Sequence, residues 1–289
     1  NINKIVETYG CDVILERGHS LGVGAWLSYL TGDPLVLEVI DHIFSRISLK
    51  RSRMVLAYTK KFFDEKDYHK VVLVNAGHDP ETFYPELSKI KYNICYAGSF
   101  KEWDGVEDLV EAARHSDDGS EAAYTVEVLV GEGARFKQVK NLISKYRLDG
   151  SFVLTSKVKP AEVRGYINQS KICVAPYNLK RSEKGKFEKF GFYYSPLKIF
   201  EYLACGKPVV AADYREIGEI ISSENGELFK YEELRQLAYK IGKLLNNRDL
   251  RIISNNNIDL AKDYTWKKVI KEIESVLREV CGKSKAGRR

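Results

Sequence analysis

From about residue 92 to residue 211, short apolar runs alternate with amphipathic segments. Apolar runs of roughly four to eight residues are typical of strands buried on both faces, as in parallel sheets flanked by helices. The alternation therefore predicts an α/β fold with a doubly wound parallel sheet. The predicted strands are Asn93–Ala97, Thr125–Val130, Ser151–Thr155, Ile172–Ala175 and Pro208–Ala211, and the predicted helices are Val106–Arg114, Phe136–Tyr146, Ala161–Gln169, Pro196–Ala204 and Arg215–Ile221.

The remaining segments predict a shorter α/β unit before this region and three helices after it. The first unit has predicted strands at Asp12–Leu15, Pro34–Val39, Met54–Ala57 and Val71–Val74 and a helix at Leu21–Leu30, and the later helices are Glu232–Asn246, Asp249–Lys262 and Trp266–Val280. The stretch Asn75–Phe83 contains Gly, Asp and Pro without periodicity, which favours a connection between domains. We expect a partial domain with its linker at 1–88, a second domain at 89–265, and a final helix with a basic tail at 266–289.

Composition excludes several classes of protein. With 44% apolar and 30% charged residues, the 289-residue chain is neither disordered nor fibrous. Apolar stretches stay shorter than the roughly 18 residues that a membrane-spanning helix needs. The cysteines are scattered and mostly flanked by apolar residues, which predicts buried reduced thiols and a cytoplasmic location. The chain begins at Asn1 and its only methionine is Met54, so we expect it to be part of a longer or processed protein.

Common cofactor and metal motifs are incomplete. Gly22-Val-Gly24 resembles the start of a dinucleotide fingerprint, but Leu27 occupies the third glycine position. Neither Gly185-Lys186 nor Gly206-Lys207 has the glycine that a P-loop requires. Histidines and cysteines share no metal-ligand spacing. We therefore expect no metal, no cofactor and no nucleic-acid partner.

One predicted helix start has the chemistry of an anion site. Ser195 is a favoured N-cap, Pro196 suits the first helical position, and the free amides that follow would face an anion. Lys198 adds a cation in the first turn, and Glu201 follows about 4.5 Å further along the axis. The predicted buried stripe is Leu197, Phe200, Leu203 and Ala204. Such a helix could hold a diphosphate and the hydroxyls of its ribose, but an ordinary capped surface helix with a Lys/Glu pair remains the alternative.

The surrounding sequence resembles one enzyme family. Residues Tyr194 to Val210, YSPLKIFEYLACGKPVV, are similar to the signature of retaining GT-B glycosyltransferases of group 1, which form glycosyltransferase family 4. Further similar motifs follow the family's order: Asn75–Pro80 with Phe83, Tyr96–Ser99 with Trp103–Gly105, Val130–Gly133, Val174–Pro176, Asn225–Gly226 and Trp266. The resemblance extends over about residues 71 to 280.

The resemblance implies a GT-B fold of two Rossmann-like domains, with an incomplete N-terminal domain on the acceptor side and a C-terminal domain that binds a nucleotide sugar. It implies hexosyl transfer from that donor with retention of configuration and without a metal. The implied donor-binding residues are Gly98, Ser99, Lys157, Val158, Ser195, Leu197, Lys198 and Glu201: the diphosphate near Gly98, Ser99, Leu197 and Lys198, the base near Lys157 and Val158, and the ribose at Glu201. The last helix is expected to cross back onto the first domain.

Several positions depart from the family pattern. Tyr193 stands where the first glutamate of the paired-glutamate motif is expected, and Ser99 and Asp104 stand where an Arg and a Lys bind the diphosphate. Lys101 is the candidate replacement cation. Asp41 and His42 are the polar residues nearest to the family's catalytic-region histidine, alongside Lys198 as the third catalytic candidate. The family's N-terminal glycine-rich loop has no counterpart in these residues.

These departures leave alternatives open. A noncatalytic nucleotide-sugar-binding or assembly subunit of GT-B fold is one, and another GT-B enzyme such as a sugar-nucleotide epimerase is a second. The acceptor is an unknown glycan or lipid. Two basic segments, Lys180–Lys189 and the tail from Lys283, favour either peripheral contact with an anionic membrane or lipid phosphate, or solvated charge alone.

Overall fold

The structure is a computed structural model that describes residues 12–114, 127–182 and 186–286. It divides into two compact units. The first contains the chain up to Gly77, the short segment Tyr193–Ser195 and the residues from Trp266 onward. The second contains His78–Phe192 and Pro196–Thr265. The division thus falls after Gly77 rather than near residue 88, and the last helix belongs to the first unit.

The first unit is built on a four-stranded parallel sheet whose strands lie in chain order. The strands are β1 Ile14–Arg17, β2 Leu35–Val39, β3 Met54–Ala57 and β4 Val71–Leu73, with helices α1 Val23–Thr31 and α2 Arg46–Arg51. Helix α1 begins later than predicted, because Leu21 and Gly22 have left-handed backbone with φ of 56° and 96°. Helix α2 was missed, since six residues give too short a periodic pattern.

The final helix, Trp266–Ala286, packs against this first sheet. Its Val276 and Val280 are buried in one cluster with Val36 of β2, Leu56 of β3 and Val74. The expected return of the last helix to the N-terminal unit is therefore confirmed. Burial of apolar surface between helix and sheet stabilises this arrangement, at roughly 1.5 kcal/mol or more for each fully buried valine.

The second unit is built on a six-stranded parallel sheet, as the alternating pattern predicted. Its strands are β5 Tyr92–Ala97, β6 Glu127–Val130, β7 Phe152–Leu154, β8 Ser170–Ala175, β9 Val209–Ala212 and β10 Gly226–Phe229. The helices are α3 Val106–Ala112, α4 Phe136–Lys145, α5 Pro160–Asn168, α6 Lys186–Phe190, α7 Leu197–Ala204, α8 Arg215–Gly218, α9 Leu234–Leu245 and α10 Leu250–Ala261, so the Trp266–Ala286 helix is α11. Strand β10 was missed because it has only four residues and begins with the glycine of the Asn225-Gly226 pair.

The strand order β10-β9-β8-β5-β6-β7 places the direction change between β5 and β8. The chain builds outward from β5 to β7, then crosses to β8 and builds outward on the other side. In open parallel sheets, ligands bind outside the carboxyl ends of the strands at such a point. The residues after β5 and β8 therefore flank the point where a site is expected.

Two further findings concern membrane-spanning helices and cysteines. Among the described residues, no helix has both the length and the apolar character needed to cross a membrane. Cys95, Cys173 and Cys205 are free and buried, and Cys281 is free and partly exposed. The predicted strand residues Thr125 and Val126 and the part of the predicted basic tail beyond Ala286 lie outside the described part of the chain.

Two truncations of the last helix should differ in their effect on the free energy of unfolding. Removing the chain from Trp266 exposes the apolar cluster on the first sheet and should abolish soluble folding, whereas removing only residues 283–289 should leave stability within about 0.5 kcal/mol of the parent. Urea denaturation of each purified protein measures the difference.

A point variant provides a milder form of the same test. Replacing both Val276 and Val280 with Ala removes four buried methyl or methylene equivalents and should cost about 3 kcal/mol. The matched control is Ile270→Ala on the same helix, because Ile270 is 58% exposed. Equal loss in the two variants would show that α11 gains no stability from the sheet.

Candidate active site

A pocket of about 570 Å³ lies at the carboxyl end of the second sheet. Its walls are Phe83, the end of β5 (Ala97, Gly98, Ser99), the end of β6 (Val130, Gly131, Glu132), the β7–α5 segment (Lys157, Val158, Pro160, Val163) and the start of α7 (Leu197, Lys198, Glu201). The structure thus brings together seven of the residues expected to bind a donor: Gly98, Ser99, Lys157, Val158, Leu197, Lys198 and Glu201. The volume lies within the range of ordinary small-molecule sites, about 300 to 1,000 Å³.

Backbone at Gly98 and Gly131 forms part of the pocket surface. Gly131 has φ of 124°, and a Cβ there would lie 2.0 Å from the carbonyl oxygen of Gly98. A Cβ on Gly98 would lie 2.3 Å from the Tyr96 hydroxyl and 3.0 Å from Lys198 Nζ. Both positions therefore require glycine, and the missing side chains leave the Lys198 ammonium open to the pocket across Gly98. Gly131 was given no binding role from sequence, although it lies in the Val130–Gly133 motif.

The start of α7 differs from the sequence expectation in one respect. The helix begins at Leu197 with Pro196 as its N-cap, and the Ser195 hydroxyl accepts a hydrogen bond from the Ala76 amide at 2.9 Å instead of capping α7. The carbonyl of Pro196 accepts from Ile199 N at 2.8 Å. The amides of Leu197 and Lys198 lie in this first turn, where backbone amides have no intrahelical acceptor. The predicted helix start is therefore present, one residue later, and its binding of an anion stays a prediction.

Helix α7 is held against β5 by one buried hydroxyl. The Tyr202 hydroxyl accepts a hydrogen bond from the Ala97 amide at 2.8 Å and donates one to the Ala97 carbonyl at 3.1 Å. The predicted buried stripe was wrong at one position, because Leu197 is 38% exposed and lines the pocket. The buried residues of the helix are Ile199, Phe200, Tyr202, Leu203 and Ala204. Leu197, Lys198 and Glu201 are consequently left to face the pocket.

The ammonium of Lys198 is fixed by its neighbours. Its Nζ donates to Asp104 Oδ1 at 2.7 Å and lies 3.3 Å from the Tyr96 hydroxyl. It also lies over the rings of Tyr96 and Tyr177, 4.6 and 4.5 Å from their centroids. Cation–π contacts of this kind strengthen as water is excluded. The charge of Lys198 therefore has a defined position at the edge of the pocket.

Asp104 stands where the family pattern has a cation, and it forms the counter-charge to Lys198. Its side chain is 5% exposed, and its Oδ2 accepts from the Lys101 amide at 3.0 Å and from the Ser99 hydroxyl at 3.2 Å. Burial alone would raise the pKa of Asp104, but the Lys198 charge and these hydrogen bonds outweigh it and hold the pKa below its usual value. Lys101, the candidate replacement cation, instead lies with its ammonium 5.1 Å from the Trp103 ring centroid.

Glu201 is a partly buried carboxyl group on the pocket wall. Burial raises its pKa to about 7, and the nearby Lys198 charge offsets only part of that effect. None of the described residues donates a hydrogen bond to it. An acid in this environment is well suited to accept hydrogen bonds from hydroxyl groups of a ligand. The prediction that Lys198 and Glu201 share one face of the helix is confirmed.

Asp41, His42 and Tyr193 belong to the first unit and are described within it. Asp41 Oδ2 lies 2.9 Å from His19 Nε2, and its Oδ1 accepts from the Ile43 amide at 2.8 Å. His42 makes an edge contact with Tyr193, with ring centroids 6.2 Å apart. Tyr193 is buried, and burial raises the pKa of its phenol. Tyr193 is thus an uncharged aromatic group, and the catalytic roles of Asp41 and His42 stay predictions.

The basic segment before α7 is partly engaged in ion pairs. Lys180 Nζ lies 2.6 Å from Glu232 Oε2, and Arg181 Nε donates to Asp108 Oδ1 at 2.7 Å. Residues 183–185 lie outside the described part of the chain. Two of the cations that suggested an anionic surface therefore already have carboxylate partners.

A comparison with protein families shows which family the chain belongs to. The model described as "Glycosyl transferases group 1" matches residues 91–247, more than half of the chain. The chain belongs to the group 1 glycosyl transferases. The matched residues include every part of the pocket except Phe83.

Relatives and solved structures agree with this assignment. An uncharacterised glycosyltransferase of Methanocaldococcus jannaschii, MJ1178, is 27% identical over 96% of this chain and 78% of its own length. Anabaena HepE in complex with UDP has a TM-score of 0.77 at 18% identity, covering 96% of this chain and 82% of that chain. Sucrose-phosphate synthase from Thermosynechococcus elongatus has a TM-score of 0.71 at 16% identity, covering 96% and 76%. The expected GT-B fold of this group 1 transferase is confirmed.

The raised pKa of Glu201 gives a pH-dependent prediction for this transferase. Because the folded-state pKa of about 7 exceeds the ordinary value of 4.5, keeping Glu201 ionised costs stability that grows from pH 4.5 to pH 7 and is then constant. Replacing Glu201 with Gln should therefore stabilise the protein by about 3 kcal/mol at pH 8 and by almost nothing at pH 4.5. Urea denaturation at both pH values measures this.

Glu227→Gln is the matched control for that experiment. Burial alone would raise the pKa of Glu227, but hydrogen bonds and charges from Lys240 and Lys243 lower it overall. The control should therefore lose stability at pH 8. A Glu201→Gln protein no more stable than the parent at pH 8 would contradict the raised pKa.

Proposed function

We propose that this group 1 transferase moves a hexose from a nucleotide-sugar donor to a glycan or lipid acceptor with retention of configuration. The observation that carries the proposal is the placement of Lys198 and Glu201 at the start of α7, in a pocket at the carboxyl end of the second sheet. A helix N-terminus with an adjacent cation suits a diphosphate. A carboxyl group one turn further along suits the adjoining ribose.

The chemistry follows from where charge develops during transfer. As the bond between the sugar and the diphosphate breaks, negative charge accumulates on the departing diphosphate. The amides of Leu197 and Lys198 and the Lys198 ammonium are positioned to stabilise that charge, and such preorganised groups contribute most when charge appears in the transition state. Gly98 and Ser99 would approach the diphosphate, while Lys157 and Val158 would lie by the base. The proposal requires no metal, and activity that survives a chelator would agree with it.

Solved structures of the same fold support the class of donor. Anabaena HepE has been solved with UDP and with UDP-glucose, and TarM of Staphylococcus aureus with UDP. Their identity to this chain is 13 to 18%, so they guide the choice of probe rather than the base or sugar.

The remaining assignments are part of the same proposal. Asp41 and His42 are candidate catalytic groups on the acceptor side. Ser195 is no longer assigned to the donor, because its hydroxyl binds the Ala76 amide. Three buried free thiols favour a reducing compartment, so we place the enzyme in the cytoplasm, in peripheral contact with an anionic membrane where the acceptor is a lipid.

A second candidate function is a noncatalytic nucleotide-sugar-binding subunit. Two observations favour it: Tyr193 is a buried phenol where the family pattern has a glutamate, and Asp104 neutralises the cation at the diphosphate position. Such a subunit would bind the donor without turnover.

Incubation of the purified full chain with UDP-, GDP- and ADP-sugars tests both candidates. Thermal shift should identify a donor that stabilises the protein, by about 2.7 kcal/mol at one hundred times its dissociation constant. Release of the nucleoside diphosphate from that donor, measured by a coupled assay, supports an enzyme, and binding without release supports the subunit. Absence of binding to all three classes would refute the donor assignment.

Replacement of Lys198 and replacement of Glu201 should affect turnover and donor affinity differently. Lys198→Ala removes the cation that strengthens its contact as the diphosphate leaves, so turnover should fall together with at least a tenfold loss of nucleoside diphosphate affinity. Glu201→Gln keeps the size but loses ionic hydrogen bonds to ribose, worth about 1.5 to 3 kcal/mol, and should chiefly weaken donor binding at pH 8. Calorimetry and steady-state kinetics separate the two effects.

Lys240→Ala and Glu227→Gln are matched controls, because these two residues form an ion pair at 2.6 Å and neither lines the pocket. Both controls should bind and turn over the donor like the parent. Unchanged ligand affinity in both Lys198→Ala and Glu201→Gln would place the donor elsewhere.

A further inference from the structure

The charged side chains that line the pocket are balanced between cations and acids. Among the described lining residues, Lys157 and Lys198 are cations, and Glu132 and Glu201 are acids. Asp104 adds a third carboxyl group directly behind Lys198, 2.7 Å from its ammonium and almost fully buried. The main cation proposed to hold the diphosphate is therefore already neutralised by a permanent partner.

Neutralisation by Asp104 acts differently on the substrate and on the product of the proposed reaction. A nucleotide sugar carries one negative charge on each phosphate, because both phosphates are esterified or bridged. Once the sugar has left, the terminal phosphate of the free nucleoside diphosphate can lose a second proton, with a pKa near 6 to 7 like that of other phosphate monoesters. The product is thus more negative than the donor near neutral pH, and the extra charge lies on the phosphate from which the sugar departed.

We infer that Asp104 is a specificity-determining residue that makes the site disfavour the free nucleoside diphosphate relative to the nucleotide sugar. The inference rests on the proposed function and extends it to product release. Repulsion between the Asp104 carboxylate and the extra phosphate charge weakens product binding, and less so donor binding, because Coulomb energy scales with the product of the charges. Product release limits the turnover of many enzymes, and a weakly held product shortens that step.

The contacts of Lys198 distinguish repulsion of the product by Asp104 from a role of Asp104 in holding the Lys198 ammonium in place. The ammonium is held by Asp104, but it also lies 3.3 Å from the Tyr96 hydroxyl and over the rings of Tyr96 and Tyr177. These aromatic contacts stay when Asp104 is neutralised, so Lys198 keeps its place and gains an uncompensated charge. A role in positioning alone would instead weaken both ligands when Asp104 is replaced.

Asp104→Asn is the decisive variant, because Asn keeps the size and an acceptor for the Lys101 amide but removes the charge. Calorimetry with UDP and UDP-glucose, or with the nucleoside diphosphate and sugar pair that the donor screen identifies, gives the dissociation constants. At pH 8, where the terminal phosphate carries its second charge, we expect the variant to bind the diphosphate roughly tenfold more tightly and the nucleotide sugar only about threefold more tightly. The diphosphate should also become a correspondingly stronger product inhibitor.

Two further variants keep the test decisive. Asp104→Ser supplies a second neutral side chain should Asp104→Asn fold poorly, and it should shift the ratio of the two dissociation constants in the same direction. Glu227→Gln removes a carboxylate that does not line the pocket, and its ratio should match the parent. An equal change for both ligands, no change, or weaker binding of both in the neutral variants would overturn the inference.

The same measurements distinguish failure of this inference from failure of the proposed function. A parent protein that binds both ligands, with a ratio that Asp104→Asn leaves unaltered, overturns only the role of Asp104. A parent and variant that bind neither ligand overturn the donor assignment, and the inference with it.

Discussion

The pair of hydrogen bonds between the Tyr202 hydroxyl and the backbone of Ala97 is the contact on which the site depends. Both residues are buried. The hydroxyl therefore provides hydrogen bonds for the amide and the carbonyl of Ala97, at the end of β5, which would otherwise be buried without this partner. The contact holds the second turn of α7 against the end of β5, next to Gly98. Lys198 and Glu201 can face one pocket because the helix that carries both is held to the strand that provides its floor.

Much of the fold was predictable because its signals are strong over many residues. The buried apolar strands of the second unit and the amphipathic helices between them gave the right sheet, and Val276 and Val280 have the spacing of a buried helix face. The short elements α2, α6 and β10 were missed because four to six residues contain too little periodicity. The start of α7 was displaced because a local cap pattern cannot show that the Ser195 hydroxyl is already bound by a distant amide, that of Ala76.

The site was predictable in its membership but not in its electrostatics. Glycines, a helix start and a Lys/Glu pair are visible in sequence, and the pocket brings them together. The partnership of Asp104 with Lys198 joins residues far apart in the chain, and no local pattern reports it. The sequence shows that position 104 lacks the family's cation. The structure shows in addition that the residue found there, Asp104, offsets the charge of Lys198. The raised pKa of Glu201 likewise depends on burial by residues from several elements.

The backbone surface of the pocket at Gly98 and Gly131 has a consequence for how the ligand preference of this pocket can change. A surface made of main chain presents the same atoms whatever the sequence, and both positions exclude any side chain. Laboratory evolution toward a new ligand therefore has few useful positions on this backbone surface. Productive substitutions should gather at the walls, where Lys157, Val158 and Leu197 present side chains that can be exchanged without disturbing the backbone.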